Sequence, residues 1–596
     1  MSSVIPVERC IAGRDLTEPR LSPDGTVVVY ASSAGGRPAL MWQPLDGSPV
    51  RQLTAHPPPR AGRGLGGGCW CWTPDGDAVV YAAADGNLWL QPVPAGAVRR
   101  LTDADAERPA FAPSVTADGA SVVYVVDEAE VWMASLDGSP APQRLDDGTA
   151  DFCFDPAPSP DGSTVAWVAW NVPDMPWDRS RIVLWGSSDG RLVEDAPPGT
   201  VQQPRWLADG RLASVRDDGG WLRAGVGGVP FVAEPFEHAG PSWGQGQRSF
   251  AVAPDGRRVA FARNEAGFGR LCVVDLATGA VDEVARGVHG QLSWAGERLA
   301  AIRTGARTPT QIVLHDTVTW TCDVVAVGPL SGWEDLPLAE PSPVEVVARD
   351  GATIHARRYA GAGRGLLCWV HGGPTDQWQV TFLPRLAYWR AQGWDVLVPD
   401  HRGSTGHGRA YQQAMQQRWG ELDVADVVDT IRHAHAEGWA SPVTTIVLGA
   451  SAGGFTALGV AGEAPLLVAG VAASYPVTDL VDLAERSHRF ERHSTIGLVG
   501  TLPEHLDRYL ERSPVLHPAR LRDVPVLLLH GDSDPVVPVE QSQRLAAALA
   551  EAGGDVELHV YPGEGHGFRQ PEHQLDEYRR LGEFFERVAR ARSAHG

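Results

Sequence analysis

Ile446-Val447-Leu448-Gly449-Ala450-Ser451-Ala452-Gly453-Gly454-Phe455 is an apolar run that breaks into a serine flanked on both sides by glycine. A buried strand followed at once by Gly-x-Ser-x-Gly predicts a sharp strand-to-helix turn. Glycines two residues either side of the serine relieve the crowding, and the serine is left exposed at the strand end. A helix is expected from near Phe455. Such a turn belongs to a parallel α/β sheet, and the surrounding sequence has that rhythm. Leu366 to Val370, Asp395 to Val398, Thr445 to Leu448, Leu467 to Ala472, Val524 to Leu529 and Val556 to Tyr561 read as short apolar strands. Helical stretches such as Asp423 to Glu437 and Glu540 to Ala552 lie between them, so this half is expected to be a doubly wound, mostly parallel sheet of the α/β-hydrolase kind.

A serine at its free pKa is a weak nucleophile; it needs a base within hydrogen-bond reach and a carboxylate to fix the tautomer of that base. Downstream, His530-Gly531-Asp532-Ser533-Asp534-Pro535 ends one strand, and Gly563-Glu564-Gly565-His566-Gly567-Phe568 follows another. Ser, Asp, His is the α/β-hydrolase order. Of 19 histidines, His566 has the Gly-flanked loop after the last strand and is the expected base. Asp532 and Asp534 both sit beyond a strand end, and position alone leaves both open. His371-Gly372-Gly373-Pro374 follows Leu366 to Val370 and matches a loop that donates a backbone N–H to an oxyanion. Gly373 and Ala452 are the expected donors.

Upstream the rhythm differs. A small or polar residue and an Asp-Gly turn precede a β-rich run at Ser22-Pro23-Asp24-Gly25, Thr73-Pro74-Asp75-Gly76, Thr116-Ala117-Asp118-Gly119, Ser159-Pro160-Asp161-Gly162, Leu207-Ala208-Asp209-Gly210 and Ala253-Pro254-Asp255-Gly256. A weaker copy sits at Trp294-Ala295-Gly296-Glu297. The interval is roughly 40 to 50 residues, the period of a four-stranded propeller blade, so seven copies predict an N-terminal all-β seven-bladed propeller. The Asp-Gly pairs are expected to supply positive-φ hairpin positions, and Val27-Val28-Val29-Tyr30, Val79-Val80-Tyr81 and Val259-Ala260-Phe261 to supply pleated strands. A linker is expected in Pro337 to Pro343. The domains are then 1–336, a propeller gating the active site, and 337–596, the catalytic domain.

A chain of 596 residues with 43% hydrophobic and 21% charged residues has room for two cores and is not a disordered composition. The net charge of -22 argues against a nucleic-acid partner. No Lys occurs, which removes Schiff-base chemistry, a P-loop lysine and a Ser-Lys dyad. Met1 to Leu16 lacks the apolar core of a secretory signal, and no stretch reaches membrane-spanning length, so the expected compartment is the cytoplasm with no membrane partner. Seven scattered cysteines are unlike a disulfide framework; Cys69 and Cys71 read as buried thiols on one strand. His433 and His435 fall on different faces of a helix, so no metal and no cofactor is expected. A homo-oligomer is compatible with the sequence, which does not fix the oligomeric state.

Taken with the propeller phrase, His371-Gly372-Gly373-Pro374, Arg402-Gly403-Ser404-Thr405-Gly406, Trp419 to Asp426, the serine turn, His530 to Pro535 and Glu564-Gly565-His566 make the chain resemble the prolyl oligopeptidase family of serine peptidases. The resemblance is nearest to the acylaminoacyl-peptidase and puromycin-hydrolase-like branch, and includes Met175 to Asp178 and Glu237 to Trp243. It implies that Asp534 is the triad acid and that Val537 lines the pocket for the residue before the scissile bond. Arg402 and Asp426 are expected to form a buried ion pair. Tyr475-Pro476-Val477-Thr478-Asp479-Leu480 offers one aromatic where proline-selective members have several, which argues against strict post-proline cleavage. Asn171 to Asp174 also departs from the family pattern.

The expected function is a serine peptidase acting through an acyl-enzyme near the N-terminus of short peptides or aminoacyl amides. Acylaminoacyl peptidase or small-molecule esterase/amidase activity is the alternative. A propeller scaffold carrying a relic hydrolase is the non-enzymatic reading, and the complete set of catalytic residue types weighs against it. An ammonium taken into a low-dielectric chamber needs a carboxylate. Glu237 is the expected anchor, with Trp243 as an aromatic wall and Asp174 and Glu491 as alternatives.

Overall fold

The computed structural model describes residues 5–60, 67–329, 332–333 and 335–593. The first four residues of the Met1 to Leu16 stretch lie outside them. The described residues form two compact units. One takes those up to Ala12, from Gly332 to Trp378 and from Leu383 onward; the other takes those between, together with Gln379–Phe382. Helix Val7–Ile11 therefore packs with the hydrolase unit, where the Cys10 thiol faces the Pro384 carbonyl at 3.7 Å. Conversely, Gln379–Phe382 joins the propeller unit, with Val380 N–H donating to Gly267 O at 2.8 Å and Phe382 N–H to Thr304 Oγ1 at 2.9 Å.

The second unit is a propeller of seven four-stranded antiparallel sheets taken in chain order. First strands such as Asp15–Leu21, Phe152–Pro158 and Val288–Ala295 are mostly buried, whereas fourth strands such as Arg51–Gln52, Arg99–Arg100 and Gln143–Arg144 are exposed. Apolar residues of adjacent blades share their cores: Val29, Ala31 and Leu40 meet Trp70, Val79 and Tyr81. The ring closes where Leu16, Leu21, Val28 and Tyr30 of the first blade meet Ala300, Ile312 and Ala326 of the last. One blade cannot bury both faces; neighbours do it for each other.

The repeated turn works differently from the sequence expectation. Only the glycine takes positive φ, from 53° at Gly296 to 83° at Gly210; the aspartates do not. Asp24, Asp75, Asp118 and Asp161 instead accept the N–H two residues on at 3.0 to 3.1 Å, and the Ser or Thr hydroxyl two residues back at 2.5 to 2.6 Å. The phrase is an Asx turn ending in a left-handed glycine, which explains why a hydroxyl residue recurs at its head.

The first unit holds one eight-stranded sheet. In chain order its strands are β1 (Ser342–Val347), β2 (Thr353–Tyr359), β3 (Leu366–Val370), β4 (Asp395–Asp400), β5 (Thr445–Ala450), β6 (Gly470–Ser474), β7 (Val526–Gly531) and β8 (Val556–Tyr561). The spatial order is β1-β2-β4-β3-β5-β6-β7-β8, antiparallel up to β4 and parallel from β4 through β8. β1 begins inside the expected Pro337 to Pro343 linker, because Pro343 occupies an edge strand where its missing N–H costs no ladder bond. Helices Leu422–Ala436 and Ala452–Glu463 press Val424, Val427, Ile431, Ala457 and Leu458 onto Val447, Val471 and Leu528.

Register fixes where the chemistry can sit. Val370 pairs with Gly449, Ala450 with Ser474, and Gly531 with Tyr561, so β3, β5, β6, β7 and β8 end along one edge of the sheet. The loops leaving that edge carry His371 to Pro374, Ser451, Tyr475, Asp532 to Asp534 and His566. In open α/β sheets the carboxyl ends of the strands are where ligands bind.

Candidate active site

Ser451 sits between β5 and its helix with φ 56° and ψ -125°, a conformation L side chains rarely adopt. The helix starts at Ala452, three residues before the expected Phe455, because the strained serine itself makes the turn. The flanking glycines are steric necessities. A Cβ on Gly449 would strike the Gly453 carbonyl, and one on Gly453 would stand 2.5 Å from the His371 carbonyl oxygen. Gly453→Ala is therefore expected to push the helix start away from the His371-Gly372-Gly373 loop, lowering both the melting temperature and any activity; unchanged values for both would contradict this packing.

That loop runs beside the serine: a Cβ on Gly372 would lie 3.8 Å from Ser451 Cβ, and Gly373 has φ 119°. His371 fixes the loop base. It is buried, its Nε2 meets Ser404 Oγ at 2.7 Å and its Nδ1 meets Gly372 O at 2.8 Å. Burial lowers its pKa to about 3, so it stays neutral. Farther along, Gln377 Nε2 donates to Asp400 Oδ2 at 2.7 Å; Asp400 also takes Arg357 in a two-pronged bond of 2.5 and 2.6 Å and His407 at 2.8 Å. Burial works against the Asp400 charge, yet Arg357 and His407 hold its pKa well below the ordinary value. Arg357→Met would strand that carboxylate, and we expect a loss of about 3–5 kcal/mol in denaturant unfolding. Arg402 and Asp426 form the expected ion pair at 2.6 Å, with the Asp426 side chain wholly buried.

The two candidate acids separate by geometry. His566 Nδ1 lies 2.8 Å from Asp534 Oδ2, and Asp534 Oδ1 accepts the N–H groups of Val536 and Val537 at 2.8 and 3.0 Å. Burial raises the Asp534 pKa, but hydrogen bonds from His530 and His566 outweigh it and hold the carboxyl well below its usual range. Asp532 is exposed and braces the turn instead, accepting Gly563 N–H at 2.7 Å and the Ser533 hydroxyl at 2.9 Å.

Ser451 N–H donates to Ser474 O at 3.0 Å, and the next residue, Tyr475, places its ring 4.7 Å from that of His566. Desolvation pushes the Tyr475 phenol up to about 12, so it remains a neutral donor. Val537 is fully buried in an apolar cluster with Ala452, Phe455, Val477, Leu480 and Val536.

Glu491 faces His488 at 3.4 Å on its own segment. Glu237, Asp174 and Trp243 belong to the propeller unit: Glu237 is 2% exposed with its backbone bridged to Asn264, Asp174 is half-buried, and Trp243 packs on Trp177 at 4.3 Å. His435 bonds Thr445 at 2.8 Å, and among the described residues no cluster of three or more His, Cys, Asp or Glu could hold a metal ion.

Two contributors escape the sequence reading. His530 is buried and bridges Ser542 Oγ at 2.8 Å and Val537 O at 2.9 Å, fixing the loop that carries Asp534. Glu564, 2% exposed, accepts the N–H groups of Arg569 and Gln570 at 2.9 and 2.8 Å and faces His573 at 2.9 Å, closing the loop around His566. Their motifs were visible, but a brace looks like any polar residue until its partners are known.

Residues 380–592 match the model of the prolyl oligopeptidase family. The chain is similar to the acylamino-acid-releasing enzyme of Arabidopsis thaliana, 29% identical over 240 residues, which is 38% of this chain and 30% of that one. It is also similar to dipeptidyl peptidase family member 6 of Caenorhabditis elegans, 30% identical over 36% of this chain and 30% of that one. The chain thus spans about 30% of the length of these curated relatives. Among solved structures, a Mycobacterium tuberculosis puromycin-hydrolyzing peptidase superposes with a TM-score of 0.89 at 28% identity, covering 98% of this chain and 96% of that one. A puromycin hydrolase superposes with a TM-score of 0.87 at 26% identity, covering 98% and 97%.

Proposed function

We propose, from the premise that residues 380–592 belong to the prolyl oligopeptidase family, that this chain is a serine exopeptidase cleaving short peptides or aminoacyl amides near the N-terminus. In this reading Ser451 Oγ attacks the carbonyl and His566 takes its proton, while Asp534 holds the imidazole with Nδ1–H toward the carboxylate. The oxyanion accepts N–H groups of Gly373 and Ala452. His566 then protonates the leaving amine, and water releases the acyl group by the reverse of the first step. The carrying observation is the 2.8 Å His566–Asp534 hydrogen bond on the sheet edge from which Ser451 projects.

The apolar cluster around Val537 supports an apolar residue before the scissile bond. Seven free thiols fit a reducing compartment, and we place the protein in the cytoplasm; among the described residues no helix is long and apolar enough to cross a membrane.

Similarity to acylamino-acid-releasing enzymes favours the second reading, in which the residue removed carries an acyl cap. Rates on matched chromogenic aminoacyl, N-acetyl-aminoacyl and dipeptidyl amides separate the two. We expect the free aminoacyl amide to be the best substrate. We further expect Glu237→Gln to slow it selectively, by about 10- to 100-fold if a charge-assisted bond to the ammonium is lost. Asp174→Asn and Glu491→Gln are the next variants. Equal rates on free and acetylated substrates before any substitution would favour the acylaminoacyl or esterase alternative.

A further inference from the structure

Tyr475 is the first residue beyond β6, and its backbone is held in an unusual place. Its φ is 38°, on the positive side where a bulky side chain is an outlier. Two hydrogen bonds keep the segment there: Tyr475 N–H donates to Leu529 O at 2.6 Å, and the preceding carbonyl, Ser474 O, accepts Ser451 N–H at 3.0 Å. The nucleophile turn and the tyrosine are fixed on one frame. Strain of this kind persists only where surrounding contacts overdetermine it.

That frame aims the ring at the base. Its centroid lies 4.7 Å from that of the His566 imidazole, with the planes at 56°. Phe568 meets the same ring edge-on at 5.6 Å and is itself met by Tyr561 at 4.6 Å. The phenol oxygen stands 3.9 Å from where a Cβ on Gly567 would be, so the ring runs along the loop that carries His566.

The charges around this contact are already engaged. Asp534 takes the Nδ1 side of His566 at 2.8 Å. His530, 6.5 Å from the Tyr475 ring, has both nitrogens bonded, to Ser542 and Val537. Arg385 and Glu577 also act on Tyr475 electrostatically, but they neutralise each other in a two-pronged bond of 2.9 and 2.7 Å. On the neighbouring loops Glu564 is bonded to Arg569, Gln570 and His573, and Asp532 to Gly563. Tyr475 therefore meets His566 as an uncharged ring. An aromatic face attracts a cation within about 6 Å of its centroid. His566 becomes such a cation when it takes the Ser451 proton.

We propose that Tyr475 is a positioning residue for the base: its ring holds the His566 imidazole in place and stabilises the imidazolium formed as Ser451 attacks. The inference rests on Ser451, His566 and Asp534 acting as a triad. A wall of the pocket for the residue before the scissile bond would act on KM and substrate choice; this ring acts on kcat for every substrate.

Tyr475→Leu removes the aromatic face, and Tyr475→Phe keeps it while losing only the hydroxyl. On chromogenic amides differing in the residue before the scissile bond, Tyr475→Leu is expected to lower kcat about 5- to 30-fold on each, with KM within a few-fold. The acid limb of its kcat/KM profile should move down by about one pH unit, because an imidazolium without the ring gives up its proton more readily. Tyr475→Phe should restore both. If Tyr475→Leu does not fold, Tyr475→pentafluorophenylalanine keeps the shape, reverses the potential of the face and should give the same shift. A loss confined to KM or to one substrate overturns the proposal, as does a kcat loss with an unmoved acid limb or one that Tyr475→Phe does not restore. His566→Ala separates the two levels: parent-like turnover there sinks the triad and this inference with it, whereas an inactive His566→Ala beside an unslowed Tyr475→Leu sinks this inference alone.

Discussion

A Ser451→Ala chain is expected to fold and melt like its parent yet to turn over peptide or ester substrates at least about 10⁴-fold more slowly. Folding should survive because the strain at position 451 belongs to the backbone: φ is 56° whether the side chain ends in a hydroxyl or a methyl group. The Ser451 N–H bond to Ser474 O and the tight glycine contacts at Gly449 and Gly453 are untouched by losing one oxygen. The activity should not survive, because Ser451 is the nucleophile of this reading, and the neighbouring Tyr475 phenol, pushed up to about 12 by desolvation, stays protonated and cannot replace it. Circular dichroism melts, steady-state rates and labelling by a fluorophosphonate probe check the three parts separately. Parent-like turnover by the pure, folded variant would remove Ser451 from the mechanism.

How much of this was legible in the sequence depended on whether the signal was local. The Gly-x-Ser-x-Gly turn and the blade phrase are backbone requirements met by glycine within a few residues, so they read directly, as did β3 and β8, whose apolar runs coincide with their bounds. Residues whose role depends on a distant partner did not. Asp532 and Asp534 are two residues apart in the same loop, and only the fold shows that one faces Gly563 N–H and the other His566. The edge strand β1 was hidden because an edge position tolerates Pro343 and the exposed Val347, which blur the alternation. The bonds around Gln245 and Gly246 were less visible still: these residues acquire meaning only from Gly67, Asp155 and Gln291, none of them close in sequence.

Asp534→Asn is expected to lower kcat by about 10⁴-fold, whereas Asp532→Asn should stay within a few-fold of the parent. The difference follows from how an amide would fill each place. At position 534 one oxygen already accepts two backbone N–H groups, from Val536 and Val537, so the amide oxygen of Asn is drawn there and its NH₂ turns toward His566. Nδ1 must then accept, the ring proton moves to Nε2, and the nitrogen that should take the serine proton no longer has a free lone pair. At position 532 the partners are both donors, Gly563 N–H and the Ser533 hydroxyl, and an amide oxygen serves them as well as a carboxylate does. Acid pH offers a second readout. The folded Asp534 pKa lies below its unfolded value, near 4 for an ordinary aspartate, so its contribution to stability is complete above that value and is lost as pH falls through the folded one. The stability gap between the parent and Asp534→Asn should therefore be full at neutral pH and narrow on acidification below about 4. If Asp532→Asn instead shows the large kcat loss and Asp534→Asn the small one, the acid of the triad is Asp532, and the hydrogen bond to His566 serves only to shape the loop.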